Sequence, residues 1–302
     1  MKSFSILIDT GSDLPQEYID EHSLAVIPIP FHLDGKQHDD GRWQDISDKD
    51  FYGALSRGSV AGTALINPES FVDVFTEYSE RGEDLLVILL SGGLSGTYQN
   101  AVIALDEVKD KYPDCGIYPL DSYNAAGGIG LITMLAVRKR EEGLSAAETA
   151  QWLEEHRHSC LSLFTVDDLM YLHRGGRLSK LQAVAGSIIG IKPLLNIAPD
   201  GTLKLKDKVR GRKGALEALA NQMKRSLSPD TSLDTVVISH SDCLKDAETL
   251  AGLVKSFVGV KEIVTVMMGP VIGAHVGPGT IALFFEADMA RPEYEAKYYG
   301  GK

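Results

Sequence analysis

The 302-residue chain has only three cysteines, Cys115, Cys160 and Cys243, with no Cys-x-x-Cys pair among them. That excludes a disulfide framework and a thiolate zinc site, and leaves the three as small core residues. Long apolar runs are missing too: stretches such as Leu85 to Leu90 and Val264 to Met268 fall far short of the roughly 20 residues that span a bilayer. The N-terminal MKSFSILIDTGSD meets Asp9 before a signal-peptide core could develop, so the expectation is a cytoplasmic protein without stable membrane insertion. Positive charge is in deficit, with 30 Lys and Arg against 42 Asp and Glu and a net charge of −12. An acidic body of this kind repels phosphates, which argues against nucleic acid as a partner. Finally, there is no Gly-x-x-x-x-Gly-Lys-Ser/Thr loop, no Gly-x-Gly-x-x-Gly after a strand, and no cluster of His, Cys and carboxylates. The expectation is therefore no nucleotide site, no metal and no cofactor.

What is present is 44% hydrophobic content, enough for a real core in each of two domains. The first half alternates strands (Ser5–Asp9, Ala25–Phe31, Leu85–Leu90, Gly116–Leu120) with helices (Asp48–Arg57, Pro68–Arg81, Tyr98–Lys111, Ala125–Glu142). Ala146–His158 adds a helix capped by Ser145. That rhythm predicts a three-layer α/β/α domain over residues 1–158 with a mostly parallel sheet. Beyond it the pattern changes. A strand at Cys160–Val166 precedes helical stretches at Asp167–Leu172 and Lys180–Gly186. Leu194–Ile197 and Thr202–Val209 flank the hairpin turn Pro199-Asp200-Gly201. Helices at Gly214–Arg225 and Leu244–Phe257 alternate with strands at Thr235–Ser239, Ile263–Met268 and Thr280–Phe285. Residues 159–302 thus read as a two-layer α/β domain with a mixed sheet, a tail from Met289 extending over its surface.

Chemistry concentrates in four places. LLVILLSGGLSGTYQN, Leu85 to Asn100, is a buried strand running into a Gly- and Ser-rich turn that opens a helix. A helix start leaves backbone N–H groups unpaired at the positive end of the peptide dipoles, so Ser95 and Gly96 form an anion seat that needs no Lys or Arg. A plain tight connection is the alternative. Gly269 to Gly279 holds four Gly and two Pro in eleven residues around His275, which fits a hydrogen-bond donor or base; a core histidine satisfied by carbonyls is the alternative. Thr63 offers a hydroxyl at a loop end before Pro68. His173-Arg174-Gly175-Gly176-Arg177 puts two guanidiniums in a Gly-rich turn, suited to a carboxylate, a phosphate or a structural ion pair.

Two lesser features complete the reading. Asp9 ends the first strand where open α/β sheets place ligands, though pinning a loop suffices to explain it. Lys204, Lys206, Lys208, Arg210 and Arg212 alternate along a strand whose Leu203, Leu205 and Val209 face the core, a solvated stripe or a docking face.

Taken in order, IDTGSD (8–13), GTALINP (62–68), SGGLSGTYQNA (91–101), DSYNAAGGIG (121–130), RGGRLSK (174–180), IKPLL (191–195) and GPVIGAHVGPG (269–279) resemble the DegV family across nearly the whole chain. The resemblance implies a carrier, not itself an enzyme, that binds a long-chain fatty acid between its two domains. A separate ATP-dependent kinase subunit would then phosphorylate the bound lipid. It implies Thr63, Ser95 and Gly96 at the carboxylate, with His275 close by and Arg174 near. Ala64, where many members carry Ser, and Gly92-Gly93, where Ser-Lys is usual, depart from the pattern. Ile129, Ile132, Met134, Ile188, Ile189, Ile191, Leu194, Met267 and Met268 are candidates for the acyl tunnel or simply core. The competing reading is a serine hydrolase, since Gly93-Leu94-Ser95-Gly96-Thr97 misses the Gly-x-Ser-x-Gly elbow only at its end. Ser95, Asp121 and His275 also follow the chain order of that class.

Overall fold

The computed structural model describes residues 4–39, 46–180 and 190–300. The first apolar segments become strands β1 (Ser5–Asp9) and β2 (Ala25–Ile27). Pro28 and Pro30 then end the run, because proline cannot donate to a ladder. The single strand expected to reach Phe31 is therefore two: β3 (Phe31–Leu33) leaves for another sheet. With β6 (Leu85–Leu89) and β7 (Ile117–Asp121), β1 and β2 make a four-stranded parallel sheet in the order β2-β1-β6-β7. Every side chain of β6 is buried, so both faces of the sheet are covered, as its unbroken apolar run requires.

A small antiparallel sheet, β4-β3-β5, adds β4 (Lys36–His38) and β5 (Ala61–Thr63). Thr63, expected at a loop end, is the last residue of an edge strand.

From Cys160 the chain enters a six-stranded mixed sheet, β10-β9-β8-β13-β11-β12. Its strands are β8 (Cys160–Thr165), β9 (Ile191–Ile197), β10 (Leu203–Arg210), β11 (Ser232–His240), β12 (Gly259–Met267) and β13 (Ile281–Glu286). Only the β11–β12 pair is parallel. Period-two alternation divides its residues. Leu161, Leu163, Ile281, Leu283, Phe285, Val236 and Ile238 join an outer cluster, while Phe164, Ala282, Phe284 and Val237 join the core of the N-terminal part. In β10 a bulge at Leu205–Asp207 shifts this phase: Leu203 and Leu205 pack inward but Val209 packs outward, against the sequence expectation of one shared face.

Helices α1 (Gln16–Glu21), α2 (Asp48–Ser56), α3 (Pro68–Arg81), α4 (Thr97–Lys111), α5 (Gly127–Glu141) and α6 (Ala146–His156) precede β8. Then come α7 (Met170–Arg174), α8 (Gly211–Arg225), α9 (Leu244–Lys255), α10 (Pro270–Val276) and α11 (Arg291–Tyr299). Of these, α8 and α9 cover the outer face of the mixed sheet. Its inner face rests on α5, which also packs on β6. That double duty explains why Gly127 to Val137 are buried all round. Gly127 permits the approach: a Cβ there would lie 2.5 Å from Ser239 Oγ and Val237 Cγ1.

Two further expectations change. The Gly- and Pro-rich segment around His275 is a helix, α10, preceded by Gly269 and started by Pro270. The tail is a helix too, α11, docked through buried Arg291 and Tyr294. The helical stretch expected at Lys180–Gly186 falls, but for Lys180, outside the described residues. Among the described residues, no helix is long and apolar enough to cross a membrane.

Candidate functional site

Between the inner face of the mixed sheet, α10 and the parallel-sheet loops lies a cavity bounded by Phe164, Leu203 and Phe284 on one side. Leu90, Leu94 and Val271 bound it on another. Its polar wall is formed by Thr63, Ser95, His275 and Arg177, so three residues far apart in sequence and singled out there meet around one apolar space. The cavity volume is about 80 Å³, and most of its lining residues are apolar.

Each polar group is held by its element. Thr63 Oγ1, at the end of β5, lies 2.8 Å from His275 Nε2 on α10. Burial, the Arg177 guanidinium and His32 push the imidazole down to about 4, so it is neutral at pH 7. Its Nδ1 is buried without a partner among the described residues. A buried orphan N–H is rarer than a buried orphan acceptor, which assigns the proton to Nε2. In that tautomer the imidazole donates to Thr63 Oγ1, and the threonine proton is free to be donated onward to an acceptor in the channel.

Ser95 sits just outside α4. The helix starts at Thr97 with Gly96 as its N-cap, one residue later than a Ser95 cap would place it. The Ser95 hydroxyl nonetheless serves that end: it accepts from Thr97 N at 3.2 Å and donates to Thr97 Oγ1 at 3.0 Å. Gly96, expected at the carboxylate, is exposed next to Ser95 and does not itself bound the channel; Leu65 lies against it. Gly92 and Gly93 do not bound the channel. Gly93 instead packs against the β9–β10 hairpin, where a Cβ would come within 2.6 Å of the Gly201 backbone. Ser91 Oγ donates to Gly201 O at 2.9 Å in the same contact.

The two arginines divide. Arg177 reaches the channel and is anchored by Nε donating to Leu94 O at 3.0 Å and by Nη1 donating to Gly175 O; burial lowers its pKa. Arg174 lies over the Tyr171 ring, 4.4 Å from its centroid, and bounds a second, polar cleft. That cleft is shared by Thr63, His275 and Arg177 and includes His32 and Ser59. The Thr63–His275 pair is thus a partition with an apolar channel on one side and a polar cleft on the other. Sequence reasoning noticed both arginines but carried forward Arg174. Arg174 ends α7 while Arg177 follows the turn through Gly176, at φ +76°, and spacing alone does not reveal which guanidinium meets the channel.

Other candidates take structural places. Asp9 accepts from Gly11 N at 2.8 Å and Leu90 N at 2.6 Å, pinning the loop, with burial raising its pKa to about 6. The hydrolase arrangement is not assembled. His275 pairs with Thr63 rather than Ser95, and Asp121 accepts from Gly92 N at 3.1 Å and Tyr123 N at 2.9 Å. The basic stripe is largely internally paired, Lys206 with Glu295, Lys204 with Asp200, and Arg212 with Asp167 and Asp246. Of the tunnel candidates, Met268 bounds the channel, whereas Ile129, Ile132 and Met134 are core, Leu194 belongs to the outer cluster and Met267 packs against a third cluster. Ile191 begins β9, and Ile188 and Ile189 lie outside the described residues.

Fold and site together define a class: α/β proteins with a parallel and a mixed sheet around a largely apolar cavity whose polar wall joins two hydroxyls, a neutral imidazole and a guanidinium. The chain belongs to the DegV family, described as uncharacterised proteins, which it matches over residues 3–288. A DegV domain-containing protein of Clostridium perfringens is 36% identical over 293 residues, covering 97% of this chain and 100% of the relative. A DegV lipid-binding protein of Thermotoga maritima is 30% identical with TM-score 0.83, over 96% of this chain and 100% of its own. A DegV family protein of Thermus thermophilus, described for its fatty acid binding, is 27% identical with TM-score 0.85, over 95% and 100%.

Proposed function

We propose that the protein binds a long-chain fatty acid in the channel and presents its carboxylate to a separate ATP-dependent kinase for acyl-phosphate formation. The supporting observation is the convergence of Thr63, Ser95 and His275 on the wall of one largely apolar cavity. Likeness to lipid- and fatty-acid-binding relatives at 27–30% identity points the same way. In this reading Thr63 donates to the carboxylate, Ser95 joins it by turning its one proton from Thr97 Oγ1 to the ligand, Gly96 adds the start of α4, and Arg177 offers charge from the side. Residues 1–158 and 159–302 are the two halves that enclose the chain.

The physics suits presentation rather than catalysis. Neutral donors hold a carboxylate without the tight clamp of a bidentate guanidinium, and so leave an oxygen nucleophilic. With the neutral imidazole donating from Nε2 to Thr63 Oγ1, the threonine proton is left for the carboxylate. Burying a sixteen-carbon chain at about 0.8 kcal/mol per methylene yields on the order of 10 kcal/mol before ordering costs. The polar cleft beyond the Thr63–His275 partition, with Arg174 on its wall, is the side from which a phosphoryl donor on the partner would approach.

Mass spectrometry of freshly purified, denatured protein is expected to release a stoichiometric fatty acid. No co-purified lipid, together with no binding of added hexadecanoic acid, rejects the carrier reading. Incubation of the loaded protein with ATP and the organism's candidate kinase is expected to consume ATP and yield acyl phosphate; absence of turnover with every such kinase rejects the presentation step alone.

A further inference from the structure

The channel wall carries two polar side chains that the carboxylate site does not use, Ser162 and Thr280. Ser162, in the middle of β8, is 2% exposed and bounds the channel on its inner face. Phe284 stands directly across the ladder from it and Phe164 follows two residues on, so a single hydroxyl is set between two aromatic rings. Its proton is committed: Ser162 Oγ donates to Asn124 Oδ1, on a fully buried asparagine whose Nδ2 donates to Ser122 O at 3.2 Å. Because the donor is fixed, the hydroxyl orientation is fixed, and its oxygen accepts no hydrogen bond among the described residues. Thr280 likewise donates its proton, to Val276 O at 3.0 Å, but at the end of the helix that carries His275 and outside the paired strands that hold the two rings.

A methylene chain passing Ser162 gains nothing from an oxygen acceptor. An acyl chain that carries a hydroxyl at that depth does, because its O–H meets an acceptor where none would otherwise exist. Building on the fatty-acid reading above, we propose that Ser162, held by Asn124, is a selectivity site for fatty acids bearing a hydroxyl partway along the chain. The chain oxygen donates to Ser162 Oγ, and the Phe164 and Phe284 rings exclude water from the contact.

The test compares positional isomers, since all of them carry the same desolvation cost for the added hydroxyl and differ only in where it falls. Binding of the 2-, 7-, 10- and 12-hydroxyoctadecanoic acids and of octadecanoic acid itself is measured by titration calorimetry. The wild-type protein is expected to favour one mid-chain isomer over the others by roughly threefold to tenfold. Ser162→Ala is expected to flatten the series while holding octadecanoic acid within about twofold of wild type. A flat series in the wild-type protein overturns the proposal whatever the variant does, as does an optimum that survives in Ser162→Ala. Failure of octadecanoic acid to bind at all would instead reject the carrier reading.

Discussion

Thr63 joins an element to a site: its backbone closes the edge of β5 while its hydroxyl meets His275. Thr63→Val keeps the branched shape and removes only the hydrogen bonding. Fatty acid affinity is expected to fall by about 1–3 kcal/mol, roughly fivefold to 150-fold, and the melting temperature by a few degrees because His275 Nε2 loses its partner. Isothermal titration against hexadecanoic acid reads it. His275 supplies a pH signature. Its pKa is about 4 in the folded protein against an ordinary value of about 6.5, so below pH 6.5 the unfolded chain takes up a proton that the folded one refuses. Stability present above pH 6.5 is therefore lost as the pH falls toward 4. Asp9, raised to about 6, acts in the opposite sense over part of that range. Comparing urea unfolding of wild type and His275→Gln between pH 7 and 4 isolates the histidine, and the variant is expected to show the shallower acid loss. At this scale the sequence disclosed which residue types were available. Thr63 by itself read as a turn residue, and only the family resemblance gave it a role. The pairing of positions 212 residues apart is a property of the folded chain and leaves no local mark.

Elements with strong periodicity were legible: β1, β6, α3, α6 and the β9–β10 hairpin fall close to where apolar pattern, caps and Pro-Asp-Gly place them. Those that escaped are short or made of residues that usually break structure. Strands β4 and β5 are three residues each, too short for alternation to register, and α10 is built on Pro270 and Gly273. The bulge in β10 is invisible in a run that alternates throughout. Helix α5 yields two predictions. Gly127→Ala puts a Cβ against Ser239 and Val237 and is expected to cost about 1–3 kcal/mol in urea unfolding. Its neighbour Ala126 holds φ 55° and ψ −144°, a conformation that only glycine adopts without strain. Ala126→Gly is therefore expected to stabilise the protein by about 1 kcal/mol, net of the extra chain entropy glycine brings to the unfolded state.

For the molecule as a whole, composition and the change of rhythm near residue 158 foretold a parallel sheet followed by a mixed one. They did not foretell how the two share a core. One apolar cluster runs from Ile6 and Ile88 through α5 to Val237 and Phe284, so the sheets are not independently buried. Unfolding is expected to be a single transition, with near-UV and far-UV circular dichroism coinciding and the midpoint rising when hexadecanoic acid is added. Two separated transitions would contradict a shared core.

The shared position of α5 also bears on how such a chain can be cut, copied or recombined. A helix buried on all sides from Gly127 to Val137 has no flank there that tolerates water, so a fragment ending after it would carry one naked flank into solution and aggregate. Protein engineers seeking to graft this binding unit elsewhere should transplant both sheets as one piece, attaching new modules at the ends of the chain and never at the seam.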